Sequence, residues 1–338
     1  MSDYSSKLAR IAEIKISHPT NLAMKYFDVE YFHTLDDEDK KGLLQCVNSG
    51  LENADSGVGA YACNCDDYER FRPFFSKVLA EYHKVPEDAK HVSNWKLSQS
   101  TAKLDIAALG LPELSMRVRV GRNLSNYPLP GAMSKEHRIQ MEKDMCVAFD
   151  KLIAMEEYGG RYCSLTEGHP NYINTEEYQN IVDKHIMFKD MSNDVYLMSA
   201  GIASSWPYGR GCYISADEQF IIWIGEEDHL RIMCMQKSTI LNDVFDRLES
   251  VLQVVSAIDG LKFATSVDYG NVASCPTNLG TCMRASVHIP IPYLTSDGTD
   301  KKAKVLCKTL GLSVRGTCIH VSVSVCICVC VYVCVLCF

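Results

Sequence analysis

Two short runs place guanidinium groups where a β-sheet would present them together. Side chains on a strand alternate between faces. In "SMRVRV" (115–120), Ser115, Arg117 and Arg119 therefore share one face, and Met116, Val118 and Val120 the other. The two guanidiniums stand about 7 Å apart, given the rise of a strand. In "RASVHI" (284–289) the same alternation groups Arg284, Ser286 and His288 against Ala285, Val287 and Ile289. Arg231 opens the strand pattern after "GEEDH" (225–229), and Arg315 stands in the short pattern "LSVRGT". Arginine offers a planar, multi-donor fork suited to phosphate oxygens. Each run alone reads equally as the solvated face of a sheet. Gathered in one place, these arginines fit a polyphosphate held for transfer.

Acidic and thiol groups accompany them. "GEEDH" puts three carboxylates into one turn, which is otherwise a plain hairpin. "SCPTNLGT" (274–281) sets Cys275 before a proline, with Thr277 two residues on and Asn278 and Gly280 shaping the loop. A thiol beside hydroxyl donors and near arginines is expected to have a lowered pKa; the alternative is a buried structural cysteine. The chain has no G-x-x-x-x-G-K-[ST] loop and no H-R-D or D-F-G set, so neither a P-loop nor a protein kinase is supported.

Composition narrows the setting. A length of 338 residues predicts about two domains. Apolar content of 47% and charged content of 22% are those of a soluble globular protein. A net charge of −8 argues against nucleic acid as a partner, so any anion site must be a local arginine cluster. The first twenty residues contain no apolar h-region, so no secretory signal is read and a cytoplasmic setting is expected. Of 16 cysteines, eleven are scattered from Cys46 to Cys318 and five crowd the end of the chain. The scattered ones read as reduced, buried thiols. Cys63 and Cys65 are too close for usual zinc-ligand spacing and have no histidine partners, so no structural metal site is expected.

The elements that must position these groups follow from periodicity. Residues 8–94 read as an α-helical domain. "TLDDEDKKGLLQCVNSGLEN" starts with Thr34 as N-cap and acidic residues in the first turn, where the helix dipole favours them. "DDYERFRPFFSKVLAEYHKV" is an amphipathic helix with an aromatic stripe, and "DSGVGAY" is a glycine-rich loop between the two. Residues 95–111 read as a polar linker. From residue 112, strands alternate with helices. "SKEHRIQMEKDMCVAFDKLIAMEE" is a long helix capped by Ser134, with Arg138 and Lys143 on its outer face, and a further helix is capped at Thr175. Strands joined by hairpins with helices between them predict an α+β fold: a small all-α N-terminal domain, then a larger domain with an antiparallel β-sheet flanked by α-helices.

"SMRVRVGRNL", "WPYGRGCY", "WIGEEDHLRIMCM", "CPTNLGTCMRASVHI" and "LSVRGT", in this order and preceded by "SGVGAY", resemble the phosphagen (ATP:guanidino) kinases of the arginine and taurocyamine kinase type. The resemblance covers about residues 10–318, with the catalytic domain from 112. It implies reversible transfer of the ATP γ-phosphoryl to a guanidino nitrogen in a cleft between domains, with Mg²⁺ held mainly by the nucleotide phosphates. By matching position it implies that Ser115, Arg117, Arg119, Arg231, Arg284 and Arg315 contact ATP phosphates. His185, Ser286 and His288 would line the nucleotide. Glu227 would hold the guanidinium as base or aligning carboxylate, with Cys275 facing it as a thiolate. Gly57, Val58, Gly59 and Tyr61 would read the far end of the substrate. The implied partners are ATP or ADP and a guanidino substrate, arginine or taurocyamine; monomers and homodimers both occur in the family. Met116, Gly225 and Cys282 replace the family's more usual threonine, asparagine and threonine, and none of these changes removes charge from the site.

The end of the chain departs more. The family continues Arg-Gly-Thr-x-Gly-Glu-His into a mobile loop with a second substrate carboxylate; here Ile319 and His320 fall at the glycine and glutamate. Residues 319–338 then alternate valine with cysteine or serine, as translated GT-repeat DNA would, and are expected to be foreign to the fold. A tail anchor and a metal-binding thiol tail are the other readings. A chain ending this way is expected to be an impaired enzyme, and a nucleotide-binding pseudokinase is the alternative function.

Overall fold

A computed structural model describes residues 4–93, 103, 105–240, 242–291, 293–294, 296–297, 299–309, 313–317 and 326–330, with backbone only at 290, 313–317 and 326–330. Seven helices form the N-terminal part: α1 Ser5–Ser17, α2 Leu22–Tyr26, α3 Val29–Thr34, α4 Asp37–Cys46, α5 Asn48–Glu52, α6 Asp67–Arg70 and α7 Arg72–His83. Short polar side chains start them by accepting orphan backbone N–H groups. Asn21 caps α2 and Asp28 caps α3. Asp36, not Thr34, caps α4; Thr34 closes α3, its hydroxyl donating to the Tyr31 carbonyl. The apolar faces meet around Phe27, Phe32, Phe71, Phe74 and Phe75. The same core takes in Tyr269, Val272 and Leu279 from far along the chain, so the helical part is built partly on the segment around the 274–281 loop.

Most of the predicted linker lies outside the described residues; its end, Ile106–Leu109, is a 3₁₀ turn. The rest of the chain builds ten strands: β1 Leu114–Arg122, β2 Arg161–Ser164, β3 Gly211–Ile214, β4 Phe220–Ile224, β5 Leu230–Ser238, β6 Thr265–Ser266, β7 Gly270–Asn271, β8 Met283–Pro290, β9 Ser313–Thr317 and β10 Cys326–Cys330. Eight of them form one antiparallel sheet in the order β2-β3-β4-β5-β1-β8-β10-β9, and β6 and β7 pair separately. The helices are α8 Lys135–Ala154, α9 Thr175–Asp183, α10 Val195–Ser199, α11 Asp243–Ser256 and α12 Lys301–Thr309.

Alternation decides what each sheet face does. Met116, Val118 and Val120 are buried with Ile222 and Ile232 under α8 and α11, through Met141, Met145, Phe149, Leu248 and Val251. The opposite face is apolar only at one end, where Ile221, Trp223 and Met233 pack on Ile181, Phe188 and Met191. Further along, at β1 and β8, that face carries the arginines.

Three further expectations are corrected. Arg138 is not on the outer face of its helix but almost wholly buried, donating to the Pro130 and Gly201 carbonyls and the Ser204 hydroxyl. The N-terminal turns of α8 press on the 200–209 segment, where Gly209 (φ +68°) leaves no room for a Cβ against Arg138. Asn174, one residue before Thr175, caps α9. Part of the valine–cysteine tail is also built into the sheet: the backbone of Cys326–Cys330 pairs with both β8 and β9. Among the described residues no helix is long and apolar enough to cross a membrane.

The Phe149 ring stacks on Tyr162 and Tyr213 with centroids 5.0 and 5.4 Å away. Phe149→Ala is expected to cost about 3–5 kcal/mol through the cavity it opens. A lowered urea midpoint by circular dichroism checks this; an unchanged midpoint contradicts it.

Candidate active site

The site starts from strand register. β1 lies between β5 and β8, pairing Arg119 directly with Arg284, Arg117 with Ser286, and Ser115 with His288; on the other side Gly121 faces Arg231. Like charges directly opposite repel. Burial pushes the Arg119 guanidinium down to about 9, helped by Arg231, Arg117 and Arg284 and opposed by Glu226. Four guanidiniums from three strands thus converge on one surface. Arg117 and Arg231 also lie over the Trp223 ring, 6.0 and 5.5 Å from its centroid. Arg119, Arg231 and Arg284 line a cleft of about 230 Å³ together with Asp228, Asn278 and, from the helical part, Tyr82.

The carboxylate turn joins β4 to β5 and starts at Gly225 in the left-handed region (φ +73°). Buried Arg210 donates to the Gly225 carbonyl and fixes the start of the turn. Its three carboxylates then separate by environment. Glu226 forms a two-pronged pair with Arg231, at 2.8 and 2.6 Å. Glu227 lies 3.5 Å from Arg231 and accepts a hydrogen bond from the Asn278 amide at 3.2 Å. Burial, then Glu226 and Asp228, push the Glu227 carboxyl up to about 7, while Arg231 and Asn278 pull it back. Asp228 is buried at the cleft wall: its Oδ1 accepts the Ser274 N–H and the Asn123 amide, both at 2.7 Å. Asn123 also accepts the His229 N–H.

Asp228 thereby fixes the Cys275 loop next to Glu227. Cys275 is buried, its Sγ 3.1 Å from the Thr277 hydroxyl. The expected lowering of its pKa does not occur: burial and the Glu227 charge raise the thiol and outweigh Thr277, which lowers it. Three groups of the helical part grip the same loop. The Ala62 N–H donates to the Ser274 carbonyl at 2.8 Å, the Tyr68 hydroxyl to the Ala273 carbonyl at 2.8 Å, and His83 Nε2 lies 2.9 Å from the Pro276 carbonyl. Residues 57–61 are tied down by backbone bonds from Leu22 to Gly57, Ala23 to Val58, Gly50 to Gly59 and Tyr61 to Cys46. Burial, then the charges of Cys275 and Glu227, raise the Tyr61 hydroxyl.

The structure therefore gathers Arg117, Arg119, Arg231 and Arg284 into one cluster, and Glu227, Cys275 and Tyr61 into another. Ser115, Ser286 and His288 extend the arginine face along β1 and β8; partial burial and Arg117 hold the His288 imidazole below its usual range. His185 is exposed in a left-handed turn (φ 59°) after α9, next to Ile186, whose carbonyl accepts the Trp223 indole N–H. The side chain of Arg315 lies outside the described residues; its backbone sits in β9, opposite Cys328. Sequence reasoning missed Asp228, Asn123, Arg210, Tyr68 and His83. Their signal was weak because each acts by bonding a backbone or a neighbour distant in the chain.

Residues 140–325 match the ATP:guanido phosphotransferase C-terminal catalytic domain, and residues 17–80 match the N-terminal domain of that family. An arginine kinase of Haliotis madaka is 38% identical over 81% of this chain and 73% of its own length. A taurocyamine kinase of Schistosoma mansoni is 37% identical over 81% of this chain and 35% of its own length. The substrate-free duplicated taurocyamine kinase from Schistosoma mansoni has a related structure, with a TM-score of 0.76 at 32% identity over 96% of this chain and 45% of that one. With its arginine-faced sheet, its buried thiol loop and both domains matched, this chain belongs to the phosphagen kinases, the ATP:guanido phosphotransferases.

Proposed function

We propose that this phosphotransferase moves the γ-phosphoryl group between ATP and the guanidino group of arginine or taurocyamine. The convergence of Arg117, Arg119, Arg231 and Arg284 carries the reading, because four mutually repelling guanidiniums are relieved by a polyphosphate. Phosphoryl transfer is catalysed mainly by positioning and by neutralising charge on the transferring group. In this reading Arg119, Arg284 and Arg117 hold phosphate oxygens, and Arg231 exchanges part of its bond to Glu226 for one to phosphate. Ser115, Ser286, His288 and His185 line the rest of the nucleotide, and the Arg315 position completes the clamp from β9.

Glu227 and Cys275 bracket the acceptor. Ionised Glu227 accepts a guanidinium N–H and aligns the attacking nitrogen or takes its proton. Cys275 is held as a thiol by burial and by Glu227. A guanidinium cation entering between the two favours the charged form of both and draws the thiol toward thiolate. The loop of Gly57, Val58, Gly59 and Tyr61 reads the far end of the substrate, its length leaving room for arginine or taurocyamine. Among the described residues, the one group of three side chains that could hold a metal lies outside this cleft, which fits Mg²⁺ arriving on the nucleotide phosphates. There it would neutralise phosphate charge. Tyr82 of the helical part and Asn278 line the same cleft, and its closing over the substrates would exclude water.

Arg119→Ala is expected to lower kcat/KM for ATP by about 10²–10³-fold, the scale of losing one charge-stabilising donor. Loss below threefold in a coupled assay contradicts its role. Since Glu227 must be ionised to receive a guanidinium, kcat/KM should rise with pH through about 7. Asn278 stabilises the ionised form, so Asn278→Ala should move this limb to higher pH; a limb that stays or moves down counts against the assignment. A panel of arginine, taurocyamine, creatine and lombricine with ATP tests the acceptor. Turnover of arginine or taurocyamine well above the others is expected, and no transfer to any of them overturns the proposal.

A further inference from the structure

A second cluster of reactive side chains lies outside the catalytic cleft, beneath the substrate loop. Cys46 is the last residue of α4, Cys63 follows the loop, and Asp67 opens α6. All three are about 1% exposed. One ligand atom from each, the two Sγ and a carboxylate oxygen, lies within 4.8 Å of the others. The sequence set Cys63 beside Cys65, too close for a pair. The fold instead turns Cys63 toward Cys46, while Cys65 faces the Leu124 and Tyr127 carbonyls.

We propose that Cys46, Cys63 and Asp67 bind a thiophilic divalent cation of the zinc class. Tetrahedral zinc with sulfur ligands at 2.3 Å needs sulfurs about 3.8 Å apart, so small side-chain movements suffice. The carboxylate is already aimed by its own donors: Asp67 Oδ2 accepts the Cys63 and Asn64 N–H groups, both at 2.7 Å, and Cys46 Sγ lies 3.4 Å from it. Such outer bonds orient a ligand and fix its affinity. A fourth donor is at hand in the Tyr61 carbonyl, 3.8 Å from Cys63 Sγ. Binding forms two metal–thiolate bonds and releases two protons to the buffer, with no change of oxidation state.

The location gives the site a consequence. The Tyr61 N–H donates to the Cys46 carbonyl, so the two thiols flank the anchored end of the substrate loop. A cation joining them ties α4 to that loop.

The test is Cd²⁺ titration of the full chain, followed by thiolate charge-transfer absorption, in wild type and in the Cys46→Ala, Cys63→Ala and Cys65→Ala variants. Wild type and Cys65→Ala should bind one more equivalent than the other two, and affinity should rise about 100-fold per pH unit as two protons are released. Equal stoichiometry in all four overturns the proposal. Should a variant fail to fold, cadmium NMR of wild type decides. A resonance from a mixed sulfur–oxygen site supports the assignment, and only all-sulfur resonances, or none, contradict it.

Discussion

One buried carboxylate sets the geometry of the site. Asp228 is removed from solvent, yet it accepts a backbone N–H from the thiol loop and an amide from the end of β1. Burial raises its pKa, and these two bonds pull it part of the way back. An unpaired carboxylate there would be costly, so the three segments are locked in one arrangement. Glu227 precedes Asp228 and Cys275 follows Ser274, so the spacing of these two groups is inherited from this one anchor. Gly121 belongs to the same junction: a Cβ there would meet Asp228 Oδ2 at 2.7 Å.

Around the anchor, the protein stores electrostatic conflict in two compartments. On the sheet, guanidiniums face one another across β1 and β8. In the turn, three carboxylates share five residues. Arg231 joins the two compartments, held by Glu226 and lying 3.5 Å from Glu227. Each compartment is less stable than a neutral one would be, and each is relieved by a ligand of opposite sign. In the proposed function the phosphates would go to the first and the guanidinium to the second. Local rules of stability are often broken at functional sites in this way. The helical part contributes neither charge set. It holds the backbone of residues 273–276 through Ala62, Tyr68 and His83, and so carries the position of its substrate loop directly to the thiol.

Much of this was legible in the sequence because strands alternate. The period of two in "SMRVRV" and "RASVHI" separated core from arginine face before any pairing was known. The pairing itself, Arg119 against Arg284, required the register. The family resemblance supplied Glu227, Cys275 and Tyr61 as site candidates. Charge alone misled at Arg138, where a long amphipathic helix suggested a solvated cation. The side chain instead satisfies carbonyls of a loop that approaches too closely for water. At Cys275 the sequence left a lowered thiol and a buried cysteine both open, and burial with the Glu227 charge outweighs the Thr277 hydroxyl. The tail shows a third limit: a segment with no family pattern still has the alternation of a strand, and Cys326–Cys330 pair into the sheet on that basis.

The central claim is that guanidiniums from separate strands act on one polyphosphate. The most direct test is a double-mutant cycle on Arg119→Ala and Arg284→Ala, read as the dissociation constant for ATP by calorimetry. Residues acting on a shared ligand group couple by about 0.5–3 kcal/mol. Coupling in that range, with each single change weakening ATP, is the predicted result. Two changes that add without coupling, or that leave ATP affinity untouched, would show that these arginines serve separate purposes.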